Sequence, residues 1–150
     1  MGKIDRWGVA IAKMSVAELE DFLRAEFPQA FSGDDIAIES ADGTSCLLRQ
    51  IYSDRMLRPG GTVSGPTLMA LADFAMYVVL LSAIGPIGLA VTTSLNINFL
   101  RKGQPGQDVL AAARLLKLGQ RLAVGEVNLL SGSHPDPIAH VTATYSIPKI

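Results

Sequence analysis

The chain is poor in the residues that catalytic and structural chemistry most often uses. Cysteine occurs once, as Cys46, and histidine twice, as His134 and His140. A lone cysteine closes no disulfide within the chain, which fits a reducing, cytoplasmic setting. His134 falls in a Pro-rich turn and His140 in a strand pattern, neither with a carboxylate or thiol at ligand spacing. No metal and no cofactor is therefore expected. Charged residues make up 18% and the formal net charge is -1, so nothing points to nucleic acid or to an anionic membrane. Repeats, low-complexity tracts and linkers are absent, and 150 residues suit a single domain. In "MGKIDRWGVAIAKMSVAELEDF" charges break every apolar run, so no signal peptide is visible.

Apolar material is abundant instead. Hydrophobic residues make up 49% and the mean hydropathy is +0.31. A small domain has much surface for its volume, so part of that apolar surface is expected in a subunit interface. The longest apolar run is "SGPTLMALADFAMYVVLL", Ser64 to Leu81, with one charge inside it, Asp73. Pro66 to Ile84 approaches membrane-spanning length. Asp73 near its middle and the lack of a flanking basic cluster favour a buried helix, with no membrane partner.

Ser15-Val16-Ala17-Glu18 reads as a capping box, and Val16, Leu19, Phe22 and Leu23 follow at helical spacing until Pro28. The N-terminal helix thus covers about 15–27 and the core about 36–148. Ile36 to Glu39 and Ser45 to Tyr52 read as a hairpin around "ADGT". A Gly/Pro loop, "LRPGGTVSGP", leads into the long helix. Beyond it, strands are expected over "AVTTSLNINFL", Val109–Lys117, Leu122–Leu130 and Ile138–Ile147. In the first of these, Val91, Thr93, Leu95, Ile97 and Phe99 share one face, and Thr92, Ser94, Asn96 and Asn98 the other. Short connections favour an antiparallel sheet. One sheet and one apolar helix pack most economically as an α+β arrangement, the sheet curving around the helix.

Pro66 suits the first helical turn, where its missing N–H is no loss. Gly65 keeps its N–H, and its lack of a side chain leaves the positive end of the helix open to an anion or a developing oxyanion. Asp73 lies two turns further on, roughly 10–12 Å along the axis. The two groups meet one substrate atom only if two helices meet across a dimer. A structural carboxylate, satisfied by a donor or a cation, is the other account of Asp73. Ser64 reads as an N-cap or as a hydrogen-bond partner of bound ligand at the site, not as a nucleophile: "TVSGP" is no Gly-x-Ser-x-Gly elbow. Cys46 reads as core or interface filler, Met69 and Met76 as core helix residues placed to shape an acyl pocket as well, His140 as a surface or interface residue, and Asn96 and Asn98 as interface or groove residues.

"GxxSGPTLMALAD", "VTTSLNINFLRKGQPGQDVLAAARLLKLGQRLAVGEV" and "IAHVTATYSIP" together resemble the hot-dog-fold acyl-CoA thioesterases of the phenylacetate-pathway (PaaI-like) type, related to the 4-hydroxybenzoyl-CoA thioesterases. The resemblance runs from about Ile36 to Pro148. It implies a hot-dog fold: a curved antiparallel sheet of five to six strands around a long central helix. It also implies homodimers assembled into homotetramers, and an acyl-CoA substrate. Asp73 matches the family's catalytic carboxylate, nucleophile or general base. Gly65 matches the residue whose N–H polarises the thioester carbonyl. Thr92 matches a Ser/Thr position that holds the attacking water from the partner subunit. Arg101, Lys102 and Arg121 fall near the loops that meet coenzyme A phosphates. The motif His is Ser64 here, its second Gly is Pro66, and an Asn six residues before it falls on Arg58, which is placed to pair with Asp73 or grip a phosphate. Those replacements motivate the rival reading, a non-catalytic binder of acyl-CoA or of a small acyl ligand. A hot-dog dehydratase or hydratase fits less well, because its usual His has no counterpart here.

Overall fold

The computed structural model describes residues 3–4 and 10–149. Lys3–Ile4 (β1) and Ala10–Ile11 (β2) pair antiparallel, Lys3 opposite Ile11. Two residues a side carry no readable period, and the sequence alone offered no strand there. Val16–Glu26 (α1) starts as the capping box requires. The Glu18 N–H donates to Ser15 Oγ at 3.2 Å, and the Ser15 N–H donates to Glu18 Oε1 at 3.1 Å. Leu19 and Leu23, one turn apart on one face, are fully buried.

Ile36–Ala41 (β3) and Ser45–Gln50 (β4) form the expected hairpin. The second strand stops two residues short of Tyr52. The Tyr52 N–H donates to the Asp108 carboxylate at 2.8 Å instead of to a ladder, and a 3₁₀ turn, Asp54–Met56, follows. Gly65–Ile84 is the long helix α2. Thirteen of its twenty residues are buried, from Leu68 to Ala83, so it serves as the core element that its composition suggests. By length and composition it passes as a membrane span, yet 78% of its apolar window is buried inside the protein. Met76 is fully buried as expected, but Met69 is 41% exposed. The first turns of α2 carry solvent-facing residues at Pro66, Met69 and Ala70, and Met69 faces out with them. The helix ends at Gly85, whose φ of +96° suits glycine, and whose N–H caps the Leu81 carbonyl.

Val91–Phe99 (β5), Val109–Leu118 (β6), Leu122–Ser131 (β7) and Ala139–Ser146 (β8) complete the structure. The six-stranded sheet runs β3-β4-β6-β7-β8-β5, antiparallel throughout. The α+β arrangement read from the sequence is the observed one. The inner face of the sheet, including Val109, Ala111, Ala113, Val127, Val141 and Ala143, packs on α2. Gly125 on β7 marks a close approach. A Cβ there would lie 2.5 Å from Met76 Sδ and 2.8 Å from the Arg114 carbonyl oxygen.

Strand β5 departs from simple alternation. A bulge sets Thr92 opposite Tyr145 and Ser94 opposite Thr144, so that Thr93 is the extra residue. Thr92 therefore turns to the inner side with Tyr145, not to the outer side with Ser94. The face expected to run Val91, Thr93, Leu95, Ile97, Phe99 holds only from Leu95 on, where Leu95 and Ile97 pack against the core. β5 is also a sheet edge, and every one of its residues keeps some exposure.

Candidate active site

Asp73 sits on the third turn of α2, where its neighbours Ala72 and Phe74 are buried. Its side chain points at the end of the β5–β8 ladder. Thr92 Oγ1 donates to Asp73 Oδ1 at 2.6 Å, and the Tyr145 hydroxyl donates to the same oxygen at 2.8 Å. No buried side-chain oxygen or nitrogen among the described residues lacks a partner. Oδ2 accepts no bond among those residues, so it is the oxygen that opens to solvent.

Asp73 lines a cleft of about 770 Å³ between α1, α2 and the start of β5. Phe22, Phe27, Phe74, Tyr77 and Tyr145 line it. They are five of the nine aromatic residues (five Phe, three Tyr, one Trp) in a chain that is only 6% aromatic. Phe27 meets Phe74 and Tyr77 edge-on, with ring centroids 6.2 and 5.8 Å apart. The Tyr77 hydroxyl donates to the Gly88 carbonyl at 2.9 Å, and burial together with the nearby Glu26 charge raises its pKa. Burial also pushes up the Tyr145 phenol, ahead of the effect of the adjacent Asp73 charge, so it stays a protonated donor. Among the described residues the lining holds no cation. Nor does any group of three or more His, Cys, Asp or Glu side chains among them suit a metal ion.

The other expected site residues lie apart from this cleft within one chain. Ser64 is the N-cap of α2: it is extended, and its Oγ accepts the Thr67 N–H at 3.3 Å. Pro66 sits in the first turn, and the Gly65 N–H, as the first amide of the helix, has no acceptor inside it. A Cβ on Gly65 would come within 3.1 Å of the Phe99 ring. Arg101 and Lys102 border a second cleft of about 600 Å³ with Gln104, Ser131, Ser133 and His134. There the Arg101 guanidinium donates to the Pro137 carbonyl at 2.8 Å. Arg121 is exposed, and its carbonyl accepts the Ile147 N–H.

Within one chain, the bulge in β5 turns Thr92 onto the Asp73 of the same protomer. Arg58 does not reach the Asp73 of its own chain. Its backbone closes the turn that leads to Thr62, its side chain is exposed, and both donors on Asp73 are hydroxyls.

Tyr145 is the residue that the sequence reading missed. Its signal was present: Val141, Ala143, Tyr145 and Ile147 alternate on the buried face of β8, and a phenol among them needs an acceptor. The bulge left no such mark in "VTTSL".

A family model for the thioesterase superfamily matches residues 60–138, more than half of the chain. The chain belongs to the thioesterase superfamily. A candidate thioesterase of Silicibacter sp. TM1040 is 42% identical over 92% of this chain and 94% of that one, with a TM-score of 0.84. Two more distant structures share the fold. The E. coli PaaI protein, from the phenylacetic acid degradation operon, is 22% identical over 87% of this chain and 90% of that one, TM-score 0.67. A hypothetical thioesterase of Streptococcus pneumoniae TIGR4, solved with coenzyme A, is 19% identical over 87% and 96%, TM-score 0.72. No curated protein matches. This thioesterase-superfamily chain thus has the PaaI-like hot-dog fold, with Asp73 on the central helix as the resemblance implied.

Proposed function

We propose that the protein hydrolyses an acyl-CoA thioester to a free acid and coenzyme A. The observation that carries this reading is the Asp73 carboxylate: one oxygen is tied by two hydroxyls, and the other is open at an aromatic cleft. As a general base, Oδ2 takes a proton from water while the water oxygen bonds to the thioester carbon. As a nucleophile, Oδ2 bonds to that carbon itself, and water then opens the anhydride. In either case the C–S bond breaks and the sulfur leaves with a proton as coenzyme A. The negative charge on the carbonyl oxygen needs a donor, and losing one typically costs about 3–4 kcal/mol of barrier. In this reading the donor is the Gly65 N–H of the other protomer.

That demands a homodimer. β5 supports one, because it is a bare sheet edge surrounded by exposed Leu89, Val91, Phe99 and Leu100. A homotetramer of two such dimers, in the cytoplasm, completes the proposal. The acyl group lies against the rings of the cleft. The coenzyme A phosphates run towards Arg101 and Lys102, with Arg121 and Arg58 as further cations. The apolar cleft supports an apolar acyl group, and a solved relative holds coenzyme A.

Free-thiol release across a panel of aryl- and alkyl-CoAs tests the reading. Asp73→Asn keeps an oxygen for Thr92 and Tyr145 to donate to, and is expected to lower kcat by at least about 10²-fold while the fold persists. An Asp73→Asn variant as fast as wild type overturns the role of Asp73. Tight binding of acyl-CoA by calorimetry with no thiol release from wild type makes the protein a binder instead.

A further inference from the structure

Thr92 and Tyr145 are paired directly across the β5–β8 ladder, and both hydroxyls end on Asp73 Oδ1. Tyr145 is only 3% exposed, and its ring stacks on Tyr77 at 6.3 Å. Tyr77 is itself tied to the Gly88 carbonyl. The phenol therefore has little freedom to turn elsewhere. It also lies 2.9 Å from the Asp73 carbonyl oxygen, but it has one proton. An ionised carboxylate is the stronger acceptor, so the proton goes to Oδ1 while Asp73 is charged. When Asp73 is protonated, the backbone carbonyl keeps the buried phenol satisfied.

The titratable groups around Asp73 are few. Glu26 faces the cleft from α1, Tyr77 from α2 and Tyr145 from β8; β5 contributes only the neutral Thr92. Glu26 opposes a second negative charge, and no cation among the described lining residues offsets it. The two hydroxyls are the donors that the carboxylate finds beside five rings.

We propose that Tyr145 is a positioning residue for Asp73. It clamps Oδ1 so that Oδ2 alone faces the substrate. The consequence for the reaction rests on the reading of Asp73 as the reacting group; the clamp itself does not.

Tyr145→Phe keeps the ring and removes only the hydroxyl. In the 13C spectrum of the whole protein, the Asp73 carboxyl is identified by its loss in Asp73→Asn. In Tyr145→Phe that resonance is expected to move at neutral pH, because one of the two donors on Oδ1 is gone, and kcat/KM is expected to fall about tenfold, mainly in kcat, the loss of one hydrogen bond to a charged acceptor. An Asp73 resonance equal in the two proteins overturns the clamp. A comparison of wild type with Asp73→Asn covers the case in which Tyr145→Phe does not fold. The Tyr145 Cζ resonance is expected to move when its charged acceptor becomes a neutral amide, and an unchanged Cζ resonance overturns the proposal. Because both spectra are read without substrate, a wild type that hydrolyses no acyl-CoA counts against the proposed function and leaves the clamp to be decided by the spectra.

Discussion

A single carboxylate inside an apolar helix is expensive unless something donates to it. Asp73 meets that cost with two neutral hydroxyls, not with a cation, and the choice has a chemical consequence. An arginine at hydrogen-bond distance would depress basicity strongly, whereas hydroxyls hold the anion and leave its second oxygen able to react. Cys46 shows the opposite treatment of a reactive side chain. It is 4% exposed, its Sγ–H points at the Ala75 carbonyl at 3.4 Å, and burial, with a smaller push from the Asp42 charge, raises its pKa to about 12. Thiolate is the reactive form, so at pH 8 the native thiol is inert. Ellman's reagent is expected to find no protein thiol in the folded protein and one per chain after denaturation. A native chain that titrates within minutes would contradict the burial. The same result keeps a thiol-release assay free of background from the protein.

At the scale of the element, α2 and β7 meet at Gly125 and Met76. A methyl added at Gly125 would overlap the Met76 sulfur, which can move, and the Arg114 carbonyl, which is part of the β6–β7 ladder and cannot move freely. Gly125→Ala is expected to lower stability by about 1–3 kcal/mol, the usual range for overpacking, as read by urea unfolding. An unchanged midpoint would mean that the helix and sheet are less tightly apposed than described. The elements themselves were largely legible. The capping box at Ser15 and Glu18, the apolar length of α2 and the alternation along β7 and β8 each write a local rule into the chain. Asp73 stood out because a charge in such a run violates those rules. The details that build the site were less visible. The β5 bulge depends on where β8 ends and how Thr144 bonds, a relation between strands that no single segment states. The outward turn of Met69 depends on how far the sheet reaches along α2, and helical spacing from Met76 misplaces it. Tyr145 obeys the strand pattern so well that its hydroxyl escaped notice.

At the scale of the whole molecule, the proposed reaction gives one chain two half-sites. Asp73 and its cleft occupy one, and the open N-terminus of α2 the other, separated by two turns of a rigid helix. A helix does not bend back on itself, so the proposed site forms only between chains. The exposed apolar residues around the β5 edge are where a second copy has most to bury. Shared sites have a signature that separate sites cannot imitate. Asp73→Asn removes the carboxylate, and Gly65→Pro removes the N–H in a residue suited to a first helical turn, at the cost of a small displacement of the Phe99 ring. Each variant alone is expected to be nearly inactive.

Co-expressed in equal amounts, the two variants should recover about a quarter of the wild-type thiol-release rate. Random assembly gives that fraction of sites an intact Asp73 from one chain and an intact Gly65 from the other. A mixture no more active than its separate components, with hybrid assemblies verified by a different tag on each chain, would contradict an active site completed between two protomers.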